Sequence, residues 1–330
     1  MENNDNSYGN NNDDNKSNHS ETILITGGTG FIGSHLVREL VKQGYNVKVL
    51  DNLFRSNTEA IKDLIESGKV EFIEGDVRDE TVVDKAVEGC SYVFHEAAVC
   101  INYSQKYPKE SLEINLIGSD NVFRAALKHK VKRVVFASSA SVYGDPKVLP
   151  MKEDVELNPI TPYCLAKLGC EQLLKFYSRQ GLEYNALRYF NVYGVGQSAD
   201  AYYTSVIIAF IKRILKGEAP VIQGNGEQSM DFVNVKDIVQ ANLLVMKSEV
   251  KNEVFNVGSS ESTTIKQLAE ILIKSLGKDL TPQFDNRPTL VKQRRADINK
   301  IQKLGYKVTV KVNEGLSEAA KDIAKNPEKY

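Results

Sequence analysis

The 330-residue sequence predicts an α/β fold: a doubly wound parallel sheet of the Rossmann type with a smaller, partly interleaved C-terminal lobe. Two observations carry that prediction. Short apolar runs alternate with amphipathic stretches over the first 190 residues or so, the pattern of strands buried on both faces by intervening helices. The first of those runs also empties into a glycine-rich segment that opens a helix, which is the strand–loop–helix context that a dinucleotide pyrophosphate needs.

In chain order, ILIT (Ile23 to Thr26) is the first strand, and Ile32, Leu36, Leu40 and Val41 form the apolar stripe of the helix after it. NVKVL (Asn46 to Leu50), VEFI (Val70 to Ile73) and SYVFH (Ser91 to His95) read as the next three strands. Leu112, Leu116, Val122, Ala126 and Leu127 give the stripe of a helix leading to the fifth strand, RVVFASS (Arg133 to Ser139). Thr161 can cap a further helix and Pro162 suits its first position, since proline has no amide to satisfy there. YNALRYF (Tyr184 to Phe190) closes the series. These elements define a dinucleotide-binding Rossmann domain over residues 21–191, with the ligand outside the carboxyl ends of the strands. Beyond Asn191 the rhythm becomes irregular: a helix near Val206 to Leu215, the loop QGNGEQS, and a strand and helix from Phe232 to Met246. Residues 192–330 are therefore expected to be mainly a substrate-binding lobe, with the chain returning to the first domain around 231–258. The leader MENNDNSYGNNNDDNKSNHS, residues 1–20, has almost nothing to bury and is expected to be a disordered Asn-rich tail.

Lys plus Arg number 42 and Asp plus Glu 43, so no net field recruits nucleic acid or an anionic membrane. No apolar run approaches the roughly 20 residues of a membrane span, and no signal-peptide pattern opens the chain. The expected setting is the cytoplasm, without nucleic-acid or membrane partners. Cys90, Cys100, Cys164 and Cys170 lack a C-x-x-C spacing and are expected to be reduced, and His19, His35, His95 and His129 are too scattered to suggest a metal.

The segment TGGTGFIGSHL satisfies G-x-G-x-x-G through Gly28, Gly30 and Gly33, and G-x-x-G-x-x-G through Gly27, Gly30 and Gly33. Asp51, at the end of the second strand, can accept hydrogen bonds from a ribose diol and repel a 2′-phosphate, which favours NAD over NADP. The competing reading of Asp51 is a cap for the following turn, and Arg55 weakens the preference for NAD. Asp76 and Val77 follow the third strand, where an adenine edge is met. Tyr163 and Lys167 stand four apart on the helix opened by Thr161, so phenol and ammonium share one face. That coupling lowers a phenol pKa of about 10 and makes a proton-transfer group. Ser138 and Ser139 end the fifth strand beside them, supplying a hydroxyl donor for hydride transfer at a carbinol.

Taken together, TGGTGFIG, HEAA (His95 to Ala98), Asn115, SSASVYG, YCLAK and RYFNVYG resemble the extended short-chain dehydrogenase/reductase family, specifically its nucleotide-sugar epimerases and dehydratases. The resemblance runs from Glu21 to about Gly315. It implies Tyr163 as acid/base, Lys167 on Tyr163 and the nicotinamide ribose, and Ser139 donating to the sugar O4. It also implies NAD contacts at Gly27, Gly30, Phe31, Ile32, Gly33, Asn52, Ala97 and Asn115. On the substrate side it implies Asn191 and Arg287 on the nucleotide diphosphate, and a homodimer made by the helices before the Ser-bearing strand and after Tyr163. The family's 4,6-dehydratases follow the active-site Thr with an Asp-Glu pair, whereas Ala140 and Ser141 follow Ser139 here, so the resemblance implies 4-epimerisation of a UDP-hexose or its N-acetyl or uronic acid variant. A dehydratase or reductase of the same fold, and a non-catalytic NAD-sensing protein, are the alternatives. Two departures stand out: Met230 replaces an arginine that grips the diphosphate in many relatives, and Arg294 falls near the position that gates the sugar. The basic run around Arg294, with Lys292 and Arg295, reads either as a compensating phosphate clamp or as a solvated patch.

Overall fold

Alternation along single strands decides the architecture. In β1 (Thr22–Thr26) Ile23 and Ile25 are fully buried on one face of a sheet and Leu24 on the other, so both faces must be covered. The same division recurs in β5 (Arg133–Ser139), with Val135 and Ala137 on the first face and Val134 and Phe136 on the second. The computed structural model describes residues 21–197, 205–285 and 293–330. Among these residues seven parallel strands form one sheet, completed by β2 (Asn46–Asp51), β3 (Val70–Glu74), β4 (Tyr92–His95), β6 (Tyr184–Tyr189) and a late strand, Glu253–Val257. With β7 (Asn191–Tyr193), β8 (Val221–Gln223), β9 (Ser229–Met230) and β10 (Phe232–Asn234) lying between, that late strand is β11, and the spatial order is β3-β2-β1-β4-β5-β6-β11.

The connecting helices are α1 (Phe31–Lys42), α2 (Lys62–Glu66), α3 (Glu80–Val87), α4 (Ile101–Lys106), α5 (Pro108–Leu112), α6 (Ser119–Lys128) and α7 (Pro162–Ser178). Next in the chain come α8 (Val206–Leu215), α9 (Val235–Lys247) and α10 (Ile265–Ser275). Leu36, Val37 and Leu40 of α1 share one core with Ile238, Leu243 and Met246 of α9. Val83 and Ala86 of α3, Val122 and Phe123 of α6, and Cys170 and Leu174 of α7 fill the other face.

α9 ends where the buried Arg133 guanidinium donates to the carbonyls of Val245, Met246 and Ser248 at 2.6–3.2 Å, satisfying orphan acceptors at a helix C-terminus. The chain then turns into β11, which pairs with β6 from Glu253↔Asn185 to Val257↔Tyr189. A third core joins Tyr193 and Phe232 to α8, α10 and a last long helix, Val312–Lys325. With the short helix Asn299–Gln302 counted as α11, that last one is α12. Short pairs hold the lobe's strands: β7 with β10, β9 with β12 (Thr263–Thr264), and β8 with β13 (Gln283–Asp285).

One expected helix is corrected. The stripe from Leu112 to Leu127 is not one α-helix: α5 stops at Leu112, residues Glu113–Gly118 form a π-helical turn, and α6 resumes at Ser119. The cause is local. The Asn115 side chain is fixed by both backbone groups of Val99, accepting from its N–H (2.8 Å) and donating to its carbonyl (3.1 Å). Gly118 lies so close to Val77 that a Cβ would sit 2.6 Å from its methyl. One extra residue in the turn reconciles the two contacts.

Candidate active site

The strand order reverses between β1 and β4, and the turns leaving both strands meet there. Gly27 has φ +71°, and a Cβ on it would lie 2.7 Å from the backbone N of Ala97. A Cβ on Gly33 would lie 2.2 Å from the Gly27 carbonyl oxygen, so only glycine lets α1 approach the loop this closely. Gly30 is the N-cap of α1 and provides no side-chain oxygen to its first amides. Phe31 and Ile32 therefore begin a twelve-residue helix whose first N–H groups are left for an external anion. This cradle suits a dinucleotide pyrophosphate.

Asp51, buried at the end of β2, accepts from Thr29 N–H (3.1 Å) with one oxygen and from Leu53 N–H (2.9 Å) with the other. It thus caps its own turn and ties that turn to the glycine loop. Asn52 donates to Asp76 Oδ2 at 2.8 Å. Burial raises the Asp76 pKa, but the bonds from Arg78 and Asn52 outweigh it and hold the carboxyl below the usual aspartate range. Val77 is buried beside it.

Behind the β4 turn, Thr26 Oγ1 and His95 Nδ1 lie 2.6 Å apart, and His95 Nε2 lies 2.8 Å from Ser119 Oγ. Burial pushes the His95 pKa down to about 3, so the ring is neutral near pH 7. Ala97 N–H donates to Thr26 Oγ1 at 3.3 Å. Ser119 and the Cys170 thiol both donate to the Asn115 carbonyl, at 2.7 and 3.1 Å. The π-turn is thereby bound to α7.

The two serines at the end of β5 part company. Ser138 is buried and donates to Glu171 at 2.5 Å, whereas half-buried Ser139 accepts from Ser141 N–H at 3.2 Å, as the cap of the turn Ala140–Tyr143. Thr161 caps α7 through Cys164 N–H, so Tyr163 falls in the first helical turn, half-buried, with Lys167 one turn on. Lys167 Nζ lies 5.8 Å from the Tyr163 ring centroid and 4.9 Å from that of Phe136, and it donates to the Ala137 carbonyl at 2.7 Å. Burial lowers the Lys167 pKa, with Cys170 and Glu96 opposing. The phenol and ammonium expected on one face are indeed together, at the end of the strand that carries Ser139.

Two groups escaped the sequence reading. Glu96 accepts from Tyr189 Oη (2.8 Å), which is bonded to Asn242, and burial raises the Glu96 pKa to about 7 against the pull of Tyr189 and Lys167. Glu171 forms a buried ion pair with Arg188 (2.7 Å), whose Nη1 reaches Tyr143 Oη. The spacing Tyr163, Lys167, Glu171 on one helical face was the available signal for the second.

On the substrate side, half-buried Asn191 donates from its amide to the Asp231 carbonyl at 3.1 Å. Asp231 itself is buried and accepts from Ser259, Ser260 and Ala296, which pins the loop following β11. Met230 is half-buried in β9. Arg287 and Lys292 lie outside the described residues. Among the described residues no three His, Cys, Asp or Glu side chains converge to hold a metal ion, and no disulfide joins any of the four cysteines.

Comparison with known proteins agrees with this geometry. Residues 23–258 match the model of the NAD dependent epimerase/dehydratase family. A protein of Methanocaldococcus jannaschii described as a putative UDP-glucose 4-epimerase is 36% identical over 92% of this chain and 99% of its own. The crystal structure of a UDP-glucose 4-epimerase of Thermotoga maritima with UDP-glucose superposes with a TM-score of 0.87 at 36% identity, covering 93% of this chain and 99% of that one. A UDP-N-acetylglucosamine 4-epimerase of Methanobrevibacter ruminantium, in complex with UDP-N-acetylmuramic acid, gives a TM-score of 0.88 at 36% identity over the same shares.

Proposed function

The chain belongs to the NAD-dependent epimerase/dehydratase family, and on that premise we propose that it is a nucleotide-sugar 4-epimerase acting on a UDP-hexose or its N-acetyl or uronic acid variant. The observation that carries this reading is Tyr163 beside a buried Lys167 on α7, at the end of the strand that bears Ser139 and within the sheet that bears the glycine cradle. NAD in that cradle supplies reversible hydride acceptance at C4, so nothing is consumed over a cycle.

In this reading Tyr163 removes the O4 proton and later returns it, and the Lys167 ammonium favours the phenolate form. Ser139 donates to O4, and Asn191 and Arg287 hold the diphosphate. Gly27, Gly30, Phe31, Ile32 and Gly33 cradle the cofactor pyrophosphate, Asp51 and Asn52 meet a ribose, Asp76 and Val77 meet the adenine, and Ala97 and Asn115 line the rest of the groove. Ala140 and Ser141 place no carboxylate after Ser139, which favours epimerisation over the elimination of water that a dehydratase performs.

The NAD-binding unit in this reading spans residues 21–191 together with α9 and β11, the remainder serving the substrate. Exposed apolar side chains support a homodimer: Leu165 and Phe176 lie eleven residues apart, hence on one face of α7, 53% and 54% exposed, and Ile117 in the π-turn is 55% exposed. Four cysteines with no disulfide between them, and no helix among the described residues long and apolar enough to cross a membrane, support a cytoplasmic location.

Purified protein is to be incubated with NAD and a panel of UDP-, dTDP-, GDP- and CDP-hexoses, and products resolved by mass and C4 configuration. The expected product has unchanged mass and inverted C4, and Tyr163→Phe lowers its rate by about 10²-fold or more while NAD still binds. A product lighter by one water, or full activity in Tyr163→Phe, overturns the reading.

A further inference from the structure

Two buried polar atoms at one turn have no hydrogen-bond partner among the described residues: Ser141 Oγ and Arg294 Nε. Ser141 lies in the turn that Ser139 opens and is 6% exposed. Arg294 reaches the end of the same turn, where its Nη2 donates to the Gly144 carbonyl at 3.2 Å. Its backbone N–H donates to the Ser229 carbonyl at 2.9 Å, which seats the residue beside β9. Cys164, next to Tyr163, and exposed Asp145 are the polar neighbours that act on its charge. The head of Arg294 is thus held at the end of the turn that Ser139 opens.

What is unusual is the missing ion pair. Arg188 is paired with Glu171 and Arg133 with Glu183, but Arg294 forms no ion pair among the described residues. A guanidinium presents five N–H donors in a planar fork, and an unsatisfied buried donor is destabilising unless a ligand completes it. A sugar hydroxyl would accept one hydrogen bond and leave the charge unbalanced. A carboxylate supplies both the negative charge and two acceptors in matching geometry.

We propose that Arg294, with the Ser141 hydroxyl, binds a carboxylate on the hexose ring, so that the substrate class is a UDP-hexuronate rather than a neutral UDP-hexose. This rests on the epimerase reading above and narrows it.

The test is calorimetric binding to the NAD-loaded full-length protein of UDP, UDP-glucose and UDP-glucuronate, paired with C4-inversion assays on the two sugars. UDP-glucuronate is expected to bind about ten- to a hundredfold more tightly than UDP-glucose, as charge-assisted hydrogen bonds give. Arg294→Gln brings that ratio close to one, and Arg294→Lys, which keeps the charge and loses the fork, leaves an intermediate ratio. Equal affinity of the wild type for the two sugars overturns the inference, whether or not the variants fold. So does an Arg294→Gln variant that loses affinity for UDP itself in equal measure, since that would make Arg294 a diphosphate clamp. Inversion of UDP-glucose without preference for the uronate sinks this inference alone. Preference for the uronate without inversion of either sugar sinks the epimerase reading and leaves the carboxylate site standing.

Discussion

His95 and Glu96 are adjacent residues with opposite proton ledgers. Burial takes the His95 pKa from its ordinary 6.5 to about 3 and the Glu96 pKa from 4.5 to about 7. Between pH 4.5 and 6.5 the unfolded chain therefore binds one more proton at His95, and the folded chain one more at Glu96. The stability due to a neutral His95 is complete above its unfolded pKa and is lost as pH falls towards 3, whereas burial of Glu96 destabilises progressively as pH rises from 4.5 through 7. In this window the two slopes cancel. Single variants should uncouple them. His95→Gln is predicted to lose stability as pH rises, and Glu96→Gln as pH falls, each changing the slope by about 1.4 kcal/mol per pH unit relative to wild type. Chemical denaturation at several pH values between 4.5 and 6.5 measures this, and parallel curves for all three proteins would refute it. Local spacing made the glycine loop, Tyr163, Lys167 and Ser139 legible in the sequence. Glu96 was not legible as a partner of Tyr189, because 93 residues separate them and only the sheet register brings them together.

At the scale of elements, α7 is held to β5 and β6 by charge as well as by packing. Glu171 on the helix accepts from Ser138 on β5 and from Arg188 on β6, both sides of the ion pair being nearly inaccessible to water. Arg188→Met would leave a carboxylate buried with a single hydroxyl for company, at a cost of about 3–5 kcal/mol. The double variant Arg188→Met/Glu171→Met should recover most of that loss, and a denaturation cycle in which the double variant is no better than the single one would contradict the account. Gly33→Ala is predicted to abolish NAD binding as followed by fluorescence titration, because its Cβ collides with the Gly27 carbonyl. The first six strands were readable from their apolar runs, and α1, α6, α7, α8 and α9 from their stripes and caps. The π-turn was not, for its cause is the grip of Asn115 on Val99 and the contact of Gly118 with Val77, both tertiary. A trace of it does exist in the sequence, where the step from Leu116 to Val122 breaks the helical period.

For the whole molecule, the α7 face predicts association. Leu165→Asp combined with Phe176→Asp should convert the proposed dimer to a monomer in light scattering with little change in far-ultraviolet dichroism, and an unchanged mass would contradict an interface on this face. The C-terminal half was the least legible, because its strands are two or three residues long and their partners lie far off in sequence, as with β7 and β10. The late arrival of β11 beside β6 has a further consequence, for the order of events on the ribosome. Sixty-three residues, 190–252, separate the end of β6 from the start of the strand that covers its edge, and α9, the lid on the α1 face, lies within that interval. At roughly 5–20 residues per second the nascent chain then spends roughly 3–13 s with an unpaired edge and an apolar face open to other chains. A fragment ending near residue 191 is fixed in that condition permanently, so ribosome stalling there yields a client for chaperones rather than a free-standing cofactor domain.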